Sequence, residues 1–398
     1  MKRICILFVM AGLAALGANA QTVTGSGVMA GAVVVNCDQG QSLNSTLSRL
    51  DKHSPVTVLV KGTCTEFVQV NGFEGLTLKG LPGATLQQPS TDPGNGLIIQ
   101  VLLIEASRSI TIDGFAIHSR ASAAWDIGIG RGSTDVQLRN LTVDGPSVFG
   151  IAVYERSQVS FARVTARDPG FATVAVLDVS DVHIESCLFE NSTGAPFHVG
   201  LFVGSGHVTM QTTTIRNMQH GISIGGKGSV DIQSFNSYFP ISQPTDVVIE
   251  SPAGTNFWGV LVGDGSQLNV QDTNLRITNP GQPFGGNTGG VSISDGSTLN
   301  ANANLIISGS KGQGVFVTNN SHASLAGSSI TGSGHGGLVV ANLSSVAATG
   351  SNPLTQISGN GTDLFCDSRS LITGAANIAN ATSVQCGNLV PGDTVPLP

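Results

Sequence analysis

The chain predicts an all-β fold, a single-stranded parallel β-helix of about eleven or more coils with a short N-terminal helical cap. Three observations predict it. The first is a repeat written four times between Asp135 and Gly228. Asp135-Val-Gln-Leu-Arg-Asn-Leu-Thr-Val-Asp aligns with the stretches that open at Gln158, Asp181 and His207. Each copy alternates apolar and polar residues, breaks for two residues and alternates again, which is two short strands joined by a tight bend. A third strand of form Gly-apolar-x-apolar, such as Gly150-Ile-Ala-Val or Gly221-Ile-Ser-Ile, precedes the next copy. The second observation is spacing. Taking Val136 as anchor, its equivalents are Ile110, Val159, Val182, Val208, Val230, Leu268, Leu299, Ala323, Val346 and Leu371. Their steps run from 22 to 26 residues except for one of 38 and one of 31, and three strands with three bends need a little over twenty. The third is composition: 52 glycines and only 11% charged residues favour tight bends and stacked strands over helices.

The elements follow in order. Met1 to Met10 is basic and then apolar, and the run ends at Ala18-Asn-Ala20, so residues 1–20 read as a secretory signal cleaved before Gln21. The expected compartment is periplasmic or extracellular. No later run is long and apolar enough to insert in a membrane. A net charge of −7 without a basic run leaves no footprint for nucleic acid. Residues 21–75 form a cap and the entry to the coil. Val33 to Cys37 reads as a strand, and Ser42 to Leu50 as a short helix capped by Ser42, with Leu43, Leu47 and Leu50 laid over the first coil. Residues 76–388 are the coil and 389–398 a polar tail. Inward positions repeat as Val136/Leu138/Leu141/Val143, Val159/Phe161/Val164/Ala166 and Val182/Ile184/Cys187/Phe189, rungs that stack into one continuous core. Asp264, Asp295, Asn319 and Asn342, four residues before their anchors, mark a bend where left-handed backbone is tolerated. In an oxidising compartment Cys37–Cys64 and Cys366–Cys386 pair, one near each end of the coil, and Cys187 is a buried free thiol.

The repeat resembles the right-handed parallel β-helix of the pectate-lyase-like superfamily over roughly residues 76–388, and the helix-then-coil opening is similar to that superfamily's N-terminal cap. The resemblance implies polysaccharide as the partner, and two chemistries come with it. Pectate lyases bind Ca²⁺ through acidic side chains and abstract a proton with arginine. Asp144, Asp178 and Glu190 with Arg163 or Arg167 are the residues that could supply those parts, and Ca²⁺ is the one cofactor such a role would need. The extended signature around the lyase base is missing. Of the polygalacturonase motifs only Gly334-His335-Gly336 is present, without the clustered aspartates that acid and base work requires. The eight histidines show no metal-ligand spacing, so no resident metal is expected.

Two sets of residues stand out on the repeat itself. Eight places after successive anchors come His118, Asp144, Arg167, Glu190 and Arg216, a ladder whose signs alternate from Asp144 onward. Nearby columns carry Asp113, Arg139, Arg163 and Glu185, and also Arg131, Glu155, Arg156 and Asp178. At rung spacing these read as surface ion pairs; gathered in a groove, they would hold an acidic glycan. The other set is aromatic: Trp125, Phe149, Phe171, Phe197, His220 and Trp258 stand ten or eleven places before an anchor, and the long steps add Tyr238, Phe239, Phe257 and Phe284. Stacked inward they are core. Turned outward, Trp125, Trp258 and Phe284 would stack on sugar rings. The expectation is an exported β-helix protein that binds polysaccharide or serves structurally at a surface, with a lyase or hydrolase acting on a pectin-like glycan as the alternative.

Overall fold

The computed structural model describes residues 32–90, 100–120, 123–145, 147–193, 198–234, 246–250, 258–281, 288–302, 304–348 and 353–386. Residues 1–20, the stretch expected to be a signal, the tail from 389, and Phe197, Phe235, Tyr238, Phe239, Phe257 and Phe284 lie outside them. The described chain winds into three parallel sheets. Sheet A has 14 strands and sheets B and C have 13 each, and every strand pairs with its equivalents one coil before and one coil after. Each coil visits A, then B, then C, and such crossovers between parallel strands run right-handed.

The anchor column is real. Ile110, Val136, Val159, Val182 and Val208 face one another across successive rungs of sheet A, and the ladder continues through Val230, Leu268, Leu299, Ala323 and Val346. The 38- and 31-residue steps therefore leave the register intact. Only the last rung differs from expectation. Val346 pairs with Ile372, not Leu371. Side chains alternate faces along a strand, so this shift of one place exchanges inside for outside: Ile372 is fully buried and Leu371 is 37% exposed. At the other end the column reaches back to Leu76 and Val56.

The predicted inward positions, from Val136 through Phe189, all belong to one core cluster that runs from Val35 to Ala381. Successive rungs lie about 4.8 Å apart, so each side chain packs on its own equivalents above and below. The cap helix is shorter than expected, Leu43–Leu47. Arg49 and Leu50 bond back only three residues, to Thr46 and Leu47, so the last turn tightens and the helix stops. Its start is held firmly. Ser42 Oγ accepts from the Ser45 N–H, and Glu66 accepts from Ser42 Oγ and from the Leu43 and Asn44 N–H groups. Leu43 and Leu47 are buried against the first coil. Cys37–Cys64 ties this cap down and Cys366–Cys386 ties the last coils, while Cys187 is free and buried.

Two outcomes test this packing. Phe161→Ala should lower the unfolding free energy by about 3–5 kcal/mol, since its rung cannot collapse between fixed neighbours, while Ser160→Ala costs little; equal losses in urea titrations would mean the strand faces are assigned the wrong way round. Burial pushes the Cys187 thiol up to about 12. Mass spectrometry should accordingly find one alkylated cysteine only after unfolding.

Candidate functional site

The charge ladder forms on the outer face of sheet B. His118, Asp144, Arg167, Glu190 and Arg216 occupy equivalent places on consecutive strands, and Glu250, hidden in the sequence by the 38-residue step, adds the next rung. Glu190 is gripped from both sides: its Oε1 lies 2.8 Å from Arg216 Nε and its Oε2 3.3 Å from Arg167 Nε. With its side chain only 13% exposed, this carboxylate is committed to its ion pairs. Two residues expected nearby fall elsewhere. Asp113 pairs with Arg139, but Ala162 and not Arg163 takes the next place before Glu185. Arg163 sits one residue later, in the two-residue bend from sheet A to sheet B, with φ +56°. Asp178 lies in the bend from sheet C to sheet A at φ +51°, and its carbonyl accepts the Arg156 N–H. That bend is the column of Asp264, Asp295, Asn319 and Asn342, all left-handed as the sequence implies. It is the corner of the coil opposite sheet B, so Asp178 does not join Asp144 and Glu190.

The aromatic set lies on the outer face of sheet C, which corrects the inward stack. Neither the two tryptophans nor Phe149 and Phe171 belong to the core cluster. The register column is Trp125, Phe149, Ala172, Val199, His220, Trp258. Phe171 stands one place ahead of the strand, where its ring packs edge-on between Phe149 at 5.7 Å and Phe202 at 5.8 Å. It is 40% exposed. Trp125 lies 5.0 Å from Tyr154. Glycines clear the space for these rings: a Cβ on Gly128 would touch the Trp125 ring and one on Gly130 would run into Tyr154. Trp258 is different. Stacked on Phe316 and only 6% exposed, it offers no open face. Further along the same sheet, His335, Gln313, Thr362 and Phe365 line a shallow depression of about 390 Å³.

One residue at this edge was not singled out from the sequence. The third strands begin with glycine, at 150, 200, 221, 259, 290, 314 and 337, because their Cβ would point into the corner between sheets B and C. Gly221, Gly259, Gly290 and Gly314 face the inward isoleucines of sheet B in this way. In the first full coil of this pattern the place is taken by Asp126, next to Trp125 and fully buried. Asp363 breaks the same rule near the C-terminus. That carboxylate accepts from the N–H groups of Asn360, Thr382 and Ser383, from Asn360 Nδ2 and from Thr382 Oγ1. These donors hold its pKa below the ordinary value despite burial. Asp126 has no aligned donor among the described residues; Ser119 and Ser147 approach it without completing hydrogen bonds. Burial, with the Asp144 charge adding a little, pushes its carboxyl up to about 7. The signal was present in the sequence as an aspartate where the repeat calls for glycine.

No family model and no curated protein matches the chain. Among solved structures it is similar to tailspike protein 3 of bacteriophage CBA120, at 12% identity and a TM-score of 0.48, covering 85% of this chain and 55% of that one. It is also similar to the receptor-binding protein of bacteriophage Det7, a podoviral tailspike in a myovirus, at 8% identity and a TM-score of 0.46, covering 90% and 76%. A third is PfbA, a surface adhesin of Streptococcus pneumoniae, at 11% identity and a TM-score of 0.37, covering 90% and 92%. This chain thus spans about half the length of the CBA120 tailspike. What the chain binds has to be argued from its own residues.

Asp126 makes a pH prediction. Its proton is retained in the folded state up to about pH 7, whereas the unfolded chain releases it near 3.8. Between those values the native state binds more protons, so its stability falls as pH rises, by about 4 kcal/mol in total for this group. Asp126→Asn has no proton to lose. Its gain over wild type in unfolding free energy should be near zero at pH 4 and largest at pH 8; parallel curves would show that the carboxyl titrates normally.

Proposed function

We propose that this is an exported β-helix protein, processed near Ala20, that binds polysaccharide through the outer face of sheet C. The observation that carries the reading is the ring cluster itself. Trp125, Tyr154, Phe149, Phe171 and Phe202 lie on adjacent coils of one outward face, in a chain with 2 tryptophans, 2 tyrosines and 16 phenylalanines over 398 residues. Rings on a solvent face gain nothing from the core, and a contiguous apolar patch of this kind marks a binding surface. Flat rings at rung spacing suit the C–H faces of consecutive sugars in an extended chain.

The chemistry of the face narrows the ligand to an uncharged glycan. Two of its outward columns, Leu103, Gly128, Ala152, Ala175, Phe202, Ser223 and Trp125, Phe149, Ala172, Val199, His220, carry no carboxylate, lysine or arginine, and in the third, beside Tyr154, Glu105 is paired with Arg131 at 3.3 Å. Burial lowers the His220 pKa, which favours the neutral ring at physiological pH. Binding is favoured over cleavage because Glu190 is locked between two arginines, Asp178 does not join it or Asp144, and Asp126 is buried. The two disulfides fit an oxidising compartment.

A glycan array followed by titration tests the reading. Phe171→Ala and Trp125→Ala should each weaken binding of a neutral polysaccharide by about 1 kcal/mol, the size of a lost ring contact, with the melting temperature nearly unchanged. Unaltered affinity in both variants would remove the face from consideration. Release of reducing or unsaturated ends from the bound glycan would replace binding by catalysis.

A further inference from the structure

The bend from sheet A to sheet B places one residue per coil in left-handed backbone. The sequence mostly supplies residues that accept it: Gly114, Asn140, Asp272 and Gly327. Three consecutive coils do not. Arg163, Ser186 and Thr212 hold φ of +56°, +55° and +47°. Left-handed backbone is unfavourable for all three and worst for a β-branched threonine, so glycine or asparagine would be the easier choice. At this bend the strain falls on three successive rungs, a reason to look for function there.

These three residues line one shallow groove. Their side chains, with Thr165, Thr214 and Arg216 from the adjoining edge of sheet B, surround a depression of about 490 Å³ floored by Cys187 and Leu188. Arg163 stands on the earlier coil and Arg216 on the later one, so an arginine lines each end of the groove with hydroxyl-bearing residues between. Thr212 Oγ1 is buried without a hydrogen-bond partner among the described residues. Arg216 meets Glu190 through Nε, which fixes the side chain in place.

We infer that this groove is a binding site for an oxyanion, a carboxylate or sulfate group carried on a saccharide. The two arginines supply charge and N–H donors, and Ser186, Thr165 and Thr214 supply hydroxyls for the remaining oxygens and for neighbouring ring hydroxyls. Leu188 meets the apolar side of the sugar. The groove lies at the corner opposite sheet C, so it is a second site, independent of the aromatic face, and one short saccharide cannot occupy both.

The strain itself provides the test. Arg163→Asn installs the residue that coil 134–144 already uses at this bend, and Thr212→Gly the one used at Gly114 and Gly327. Both variants should fold with an equal or higher melting temperature. Titrations at low ionic strength would use oligogalacturonate, a chondroitin sulfate oligosaccharide and inorganic sulfate. The wild type should bind at least one of the two saccharides, more weakly as salt is added. Preference between them identifies the anionic group. Arg163→Asn and Arg163→Lys should each lose about tenfold or more in affinity, since lysine lacks the paired donors, and Phe171→Ala should lose none. The inference is overturned if the wild type binds neither saccharide, if it binds inorganic sulfate alone, or if Arg163→Asn binds as the wild type does.

Discussion

Every coil must set its inward side chains directly over those of the coil before. That requirement, imposed by in-register parallel ladders in three sheets, governs the rest of the molecule. It explains why the core is a series of like residues, why chain length added at the 38- and 31-residue steps leaves the strands undisturbed, and why one residue at the A–B bend turns left-handed coil after coil. It also explains the glycines that open the third strands. At that corner the backbone of most coils brings Cβ against the inward side chains of sheet B, and Val101, Asp126, Thr173 and Asp363 stand in place of glycine.

The two proposed sites and the buried Asp126 sit where the sequence departs from those requirements. Asp126 occupies a glycine place without the donors that Asp363 has gathered, and it lies beneath Trp125 at the edge of the aromatic face. Arg163, Ser186 and Thr212 occupy left-handed places that asparagine or glycine would fill with less strain. Phe171 abandons its rung to Ala172 and turns its ring to solvent. By contrast, the residues that look most chemical, the alternating charges of sheet B, obey the repeat and satisfy one another.

Much of this was legible beforehand because a period-two strand pattern repeated every coil fixes both faces of every strand. The anchors from Ile110 to Val346, the buried Cys187 and the left-handed Asp and Asn column all follow from it, while the disulfide pairs follow from two cysteines near each end of the coil. The differences lie at strand ends, where one place exchanges one environment for another: Ile372 and not Leu371 closes the anchor column, Arg163 stands one place past the rung that Ala162 holds, and Phe171 one place ahead of the rung that Ala172 holds.

By itself the sequence determined the coil, its core and its covalent staples, since these depend on periodicity and on residue type alone. The outward turn of the aromatic rings, the burial of Trp258 under Phe316, the isolation of Asp178 and the groove over the A–B bend were decided only in three dimensions. The physical reason is that a column number says which residues share a height and an edge of the coil. Which way a side chain points at a bend depends on local backbone twist, and partnership depends on the neighbours that twist brings within reach.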